Sequence, residues 1–230
     1  TMVSIDQLAK INQRRLGKIK PVKLKKPPKW HPASSQEREY IRVLFSLTNE
    51  LKEQIKKIIV PALPSLISEV EQLYPTSASR GDDFSDELKM LINSVIHAIK
   101  GKVEETIEKS EIIGVQIARY NKRQFDRITN SVFGIDIFID QPWLQDQLKL
   151  FAGQNAQLIR SIPTQELSQV AQTIERGLQE GSRFHSMTQE IHERFGITRR
   201  RAKLIARDQT SKLNASLTKL RQQELGVEEY

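Results

Sequence analysis

The chain is expected to be mainly all-α, with long amphipathic helices in an elongated bundle, a basic extended N-terminal arm and at most a small β element near residues 133–139. Three observations carry that expectation. Apolar residues recur at steps of three and four through most of the 230 residues, the spacing that lines one face of a helix. Aromatic residues make up only 6% of the chain, which argues against a sandwich or barrel built on aromatic cross-strand pairs. The charged fraction, 28% against an apolar 38%, suits helices with broad solvated faces.

The elements follow in order. Residues 1–33 read as an extended or disordered arm, because 16–32 (LGKIKPVKLKKPPKWHP) is dense in lysine and proline and poor in apolar groups. Trp30 is its one aromatic side chain, expected to pack against the body or a partner. A helical body is expected over 34–142. It opens with a capping box, Ser34 with Glu37 three residues on. Tyr40, Leu44, Leu47, Leu51, Ile55 and Ile58 then hold one stripe, which Pro61 and Pro64 are expected to interrupt before a shorter helix at 65–73.

Residues 74–83 (YPTSASRGDD) form a loop by composition. Phe84, Leu88, Leu91, Val95, Ile99, Val103 and Ile107 mark the face of a long helix, with Ile112, Val115, Phe125 and Ile128 continuing it and Gly101 and Gly114 as candidate breaks. The third region, 143–230, is expected to hold a helix at 143–162 ended by Pro163 and another at 165–179, capped by Thr164 and terminated by Gly181. A second capping box, Ser186 with Gln189, opens a short helix at 187–195 that Gly196 stops. Thr198 then caps a last helix at 199–225, with Gly226 just past its end.

Composition excludes several classes. There are no cysteines, hence no disulfide, no Cys-ligated zinc and no thiol nucleophile. No apolar run reaches the roughly 20 residues needed to cross a bilayer, and no apolar h-region follows the basic N-terminus. The net charge of +8 is unevenly spread: residues 1–30 carry +8, 31–195 carry −4 and 196–225 carry +6. Two basic segments flanking a mildly acidic body point to contact with a polyanion or an acidic partner. The candidate contacts are Lys18, Lys20, Lys23, Lys25, Lys26 and Lys29 in the arm, and Arg199, Arg200, Lys203 and Arg207 in the last helix. The latter four crowd the expected first turns of that helix, where cations oppose the dipole at a cost of a few tenths of a kcal/mol each. Bidentate contact of arginine with phosphate or carboxylate would offset it. Asp208 and Lys212, four apart, are expected to pair.

No catalytic, metal or cofactor constellation emerges. His31, His97, His185 and His192 lack the spacing of a helical metal pair, and Gly81-Asp82-Asp83 suits a loop feeding a helix start. There is no P-loop, no G-x-S-x-G and no G-x-G-x-x-G.

The C-terminal third carries a resemblance. A helix ending in a glycine turn (176–181), a short helix ending in F-G-I (191–197) and a long helix reading R-A-K-L-I-A-R-D-Q-T through to Gly-Val (201–227) follow one another in order. This resembles the phage Mu F-like head morphogenesis family. The match covers 143–230, is vague over 34–142 and is absent from 1–33. The family usually continues past the Gly-Val turn, so the resemblance implies a region cut short at Tyr230. It further implies a non-enzymatic minor head protein, present in few copies at the head interior or portal vertex of the virion and in the host cytoplasm during assembly, with a role in assembly, packaging or ejection of the genome. Its expected partners are the portal protein or the major capsid protein, and non-specifically double-stranded DNA, with no membrane involved. Two alternatives compete: a sequence-specific DNA binder using a helix-turn-helix at 187–207, and an enzyme whose active site lies beyond Tyr230.

Overall fold

Four long helices account for most of the structure, a computed structural model that describes residues 27–73, 85–133 and 141–226. They are α1 (Ser34–Leu73), α2 (Ser85–Phe133), α3 (Leu144–Glu180) and α4 (Phe184–Glu224). The all-α expectation holds, and no strand occurs among the described residues. The expected loop at 74–83, arm residues 1–26 and all of the β element at 133–139 except Phe133, which ends α2, lie outside them.

The helices are longer than local sequence signals suggest. Pro61 and Pro64 do not interrupt α1, and Pro163 does not end α3. A proline inside a helix costs about 3 kcal/mol. In α1 the buried stripe continues across both prolines through Ile55, Ile59, Leu63, Leu66 and Val70. Each such side chain contributes roughly 1.5–3 kcal/mol on burial, so the stripe outweighs two prolines. Pro163 is itself buried beside Ile159, Ile162 and Leu167. Gly101 and Gly114 likewise sit inside an unbroken α2.

Helix starts also differ from the sequence signals. α1 begins one residue early: Ala33 supplies the carbonyl for the Glu37 amide (2.9 Å), so Ser34 lies in the first turn and not at the cap. Thr164 is inside α3, with its hydroxyl donating to the Arg160 carbonyl (2.9 Å). Ser186 is inside α4, which starts at Phe184. Both glycine stops hold. Gly181 has φ 69°; its amide donates to Leu178 O (3.3 Å) and that of Ser182 to Gly177 O (2.7 Å), the Schellman arrangement that satisfies the last carbonyls of α3. Gly226 has φ 72° and closes α4 on Gln223 O (2.9 Å).

The chain divides into two compact units that cut across the expected boundary at 142/143. One takes the described parts of 1–38, 111–152 and 208–230; the other takes those of 39–110 and 153–207. All four helices contribute a segment to each. The second unit has an aliphatic core: Leu44, Leu47, Leu51, Ile55, Ile59 and Leu63 of α1 are fully buried, as are Val95 of α2 and Val170 and Ile174 of α3. The stripe passes through Ile59 and not Ile58, which is half-buried. Tyr40 is fully buried and donates its hydroxyl to Asn155 Oδ1; burial pushes that hydroxyl above its ordinary range.

The first unit is built differently. Ile112 and Val115 are exposed (59% and 36%), whereas Ile113 and Ile117 are buried. The inward positions that continue the α2 stripe are largely small or polar: Gly114, Asn121, Gln124. At Gly114 the backbone meets α3 so closely that a β-carbon would sit 2.8 Å from the Phe151 ring. Residues 27–33 are held against α2 by Gln124, which receives the His31 amide (3.2 Å) and donates to the His31 carbonyl. Tyr120 donates to the same backbone at His31 (3.3 Å) and Pro32 (3.2 Å).

Candidate functional site

The basic cluster on α4 is where sequence and structure both concentrate charge. Residues 194–207 hold six Lys/Arg and no Asp/Glu. The structure places Arg199, Arg200, Lys203 and Arg207 in the middle of α4, all exposed. This corrects two expectations. The helix starts at Phe184, so these cations lie four or more turns from its positive end and do not oppose the dipole, whose effect fades within the first turn. No turn exists at Gly196 either, because the helix runs through it, so 187–207 lacks the helix-turn-helix geometry. Helix interiors bury their backbone polar groups, and a glycine there only weakens the helix. Packing on both sides of Gly196, from Ile191, Phe195, Ala202 and Ile205, outweighs it.

The cations do different work. Arg199 lies over the Phe45 ring, 4.2 Å from its centroid, and ties α4 to α1 in the manner Lys52 does over Phe195 at 5.5 Å. Arg201 donates to the Ser161 hydroxyl (2.9 Å) of α3. Arg200, Lys203 and Arg207 have no carboxylate within ion-pairing distance among the described residues. Elsewhere on these helices cations do pair: Lys56 with Glu53, Lys89 with Asp86, Lys122 with Asp126 (2.7 Å) and, as expected, Lys212 with Asp208 (2.8 Å). Glu105 serves both Lys109 and Lys102, which hold its carboxyl down to about 2. Two large aliphatic side chains share the free face: Ile197 is 51% exposed and Leu204 65%, the most exposed large apolar residue described. Ile197 and Leu204 are seven residues apart, as are Arg200 and Arg207, so each pair nearly superimposes down the helix axis.

Of the arm cations, Lys29 is exposed, while Lys18, Lys20, Lys23, Lys25 and Lys26 lie outside the described residues.

Sequence reasoning missed a polar seam in the first unit. The α4 stripe Leu213, Leu217 leads to Arg221, 1% exposed, and not to the half-buried Leu220. Arg221 donates to Asn121 Oδ1 and to Gln141 Oε1 (2.9 Å), and its guanidinium lies 5.6 Å from the Trp143 ring centroid. Asn121 Nδ2 in turn reaches Asn214 O (2.9 Å) and Thr218 Oγ1 (2.8 Å). Burial pulls Arg221 down to about 10, against the opposing pull of Asp126. The available signal was the step of four from 213 to 217 to 221. Beside this seam a groove of about 400 Å³ is lined by Trp30, Ala33, Thr210, Asn214 and Lys219. In the second unit, Glu166 is buried and receives the Thr198 hydroxyl, with its other oxygen unpartnered among the described residues.

The histidines converge on nothing: all four are exposed. Among the described residues no three His, Asp or Glu side chains gather where a metal ion could sit, and no helix is long and apolar enough to cross a membrane.

No family model and no solved structure matches this chain. It is similar to an uncharacterized protein of Haemophilus influenzae, 25% identical over 243 residues. That alignment covers 100% of this chain but 48% of the relative, so the chain spans about half the length of the curated relative it matches.

Proposed function

We propose that this chain is a non-enzymatic minor head protein of a tailed bacteriophage, acting during head assembly through its helical faces. The exposed α4 cations and the basic arm make its contacts, with the portal or major capsid protein as partner and double-stranded DNA as a non-specific one. The observation that carries this reading is the ordered resemblance of the C-terminal third to the Mu F-like family. Its glycine turn corresponds to the Schellman end of α3 at Gly181, and its long basic helix to the second half of α4. The row Arg200, Lys203, Arg207, with no ion-pair partner among the described residues, supports a contact role, because such cations attract acidic surfaces. A sequence-specific DNA-binding role draws no support from α4, which is continuous where the motif requires a turn.

Quantitative mass spectrometry of purified phage particles, with copy number referenced to the portal protein, tests the proposal. Several copies per head are expected. Abundance in infected cells with none in particles would overturn the virion assignment.

A further inference from the structure

We propose that the outward face of α4 formed by Ile197, Arg200, Lys203, Leu204 and Arg207 docks an acidic protein segment that carries its own apolar stripe, and that nucleic acid is not its main ligand. The inference names the partner chemistry of the face assigned above and rests on that assignment.

Charge comes first. Fourteen residues, 194–207, hold six cations and no acid, in a stretch bounded by Glu193 and Asp208. Arg199 and Arg201 are engaged with Phe45 and Ser161 and Arg194 is half-buried, which leaves Arg200, Lys203 and Arg207 facing outward. A ligand for this row is negative. Residues 1–30 of the same chain carry +8 and are repelled. A second copy meeting the face isologously would bring the same cations against themselves.

Apolar exposure then decides between negative ligands. Ile197 and Leu204 stand on one shoulder of the row, 51% and 65% exposed. Leu204 is four residues from Arg200 and three from Arg207, so aliphatic and cationic groups interleave on one surface. A phosphate backbone is met by charge and hydrogen bonds and offers nothing to a leucine on a helix face. An amphipathic acidic helix offers both halves: leucines to cover Ile197 and Leu204, and carboxylates for the guanidiniums, bidentate where the geometry allows. Desolvating an aliphatic anchor amid a charged rim is how protein interfaces concentrate affinity.

The test is fluorescence anisotropy on the purified full chain with three probes. The first is a synthetic helical peptide of about 20 residues with leucines at steps of three and four between glutamates; the second is the same peptide with alanine for leucine; the third is a DNA duplex of about 20 base pairs. Two variants are compared, Ile197→Gln/Leu204→Gln and Arg200→Gln/Arg207→Gln, with helicity checked by circular dichroism; all four side chains are exposed, so folding is retained. The leucine peptide is expected to bind the wild type at least about tenfold more tightly than the alanine peptide, a difference of about 1.4 kcal/mol. The apolar variant is expected to lose about that factor while its DNA binding stays unchanged, and the cation variant to weaken on every probe. Equal binding of the two peptides, or an apolar variant indistinguishable from wild type, would make the face a plain polyanion surface and overturn the proposal. Absence of peptide binding would overturn it too. None of these results bears on the copy number in particles, so the two readings fail separately.

Discussion

The two units differ in what fills them. Among described residues the second unit buries 26 apolar side chains and seven polar or charged ones, most of the latter hydroxyls that bond to their own helix. The first buries nine apolar and six polar ones, and its polar set includes two amide side chains on α2 and a full arginine. In the second unit the helices are joined by area, which is non-directional and tolerates exchange of one aliphatic for another. In the first they are joined by specified pairs, Arg221 with Asn121 and Asn121 with Asn214 and Thr218, which permit one register and penalise others. A buried cation is weak support for stability but a strong constraint on alignment.

The largest expected effect is in the aliphatic unit. Leu51→Ala should destabilise by about 2–5 kcal/mol, read by urea unfolding, from lost burial plus the cavity left behind. Leu51→Met should cost less than about 1.5 kcal/mol.

Asn121→Ala should cost about 1.5–3 kcal/mol, because it removes one of the two acceptors that serve the buried Arg221 guanidinium. Here the near-isosteric Asn121→Leu should rescue nothing, the reverse of the leucine-to-methionine result. Equal tolerance of both conservative replacements would erase the distinction between the units.

The next effect is on pH dependence. Folded Arg221 is held at about 10, below its ordinary 12.5, so the unfolded state binds the proton more tightly. The cost of burying the charge is present below pH 10 and is relieved as pH rises through that value. Relative to Arg221→Met, the wild type should therefore gain about 1 kcal/mol between pH 9 and 11 in urea melts. A difference that stays constant with pH would mean that the buried guanidinium keeps its proton throughout this range.

The smallest effect is a stabilisation. Gly196 sits in mid-helix with nothing within 4 Å of the point a β-carbon would occupy, so Gly196→Ala should raise stability by about 0.5–1 kcal/mol. A destabilised variant would argue for a turn there.

Much of the architecture could be read from spacing. The α1 stripe as far as Ile55, the α2 positions Leu88, Val95, Ile99, Val103 and Ile107, the glycine ends at Gly181 and Gly226, the Asp208–Lys212 pair and the exposed α4 cations are local consequences of helical period and backbone conformation, so sequence alone determined them. Continuity through Pro61, Pro64, Pro163 and Gly196 could not be read locally, because each breaker's cost is fixed while the offsetting burial comes from other helices. The polar seam was hidden for the same reason. Arg221 falls on the step of four from Leu213 and Leu217, but its charge, like the amide of Asn121, marks a surface residue, and only the tertiary structure, by bringing α2 and α4 together, supplies the partners that make their burial tolerable.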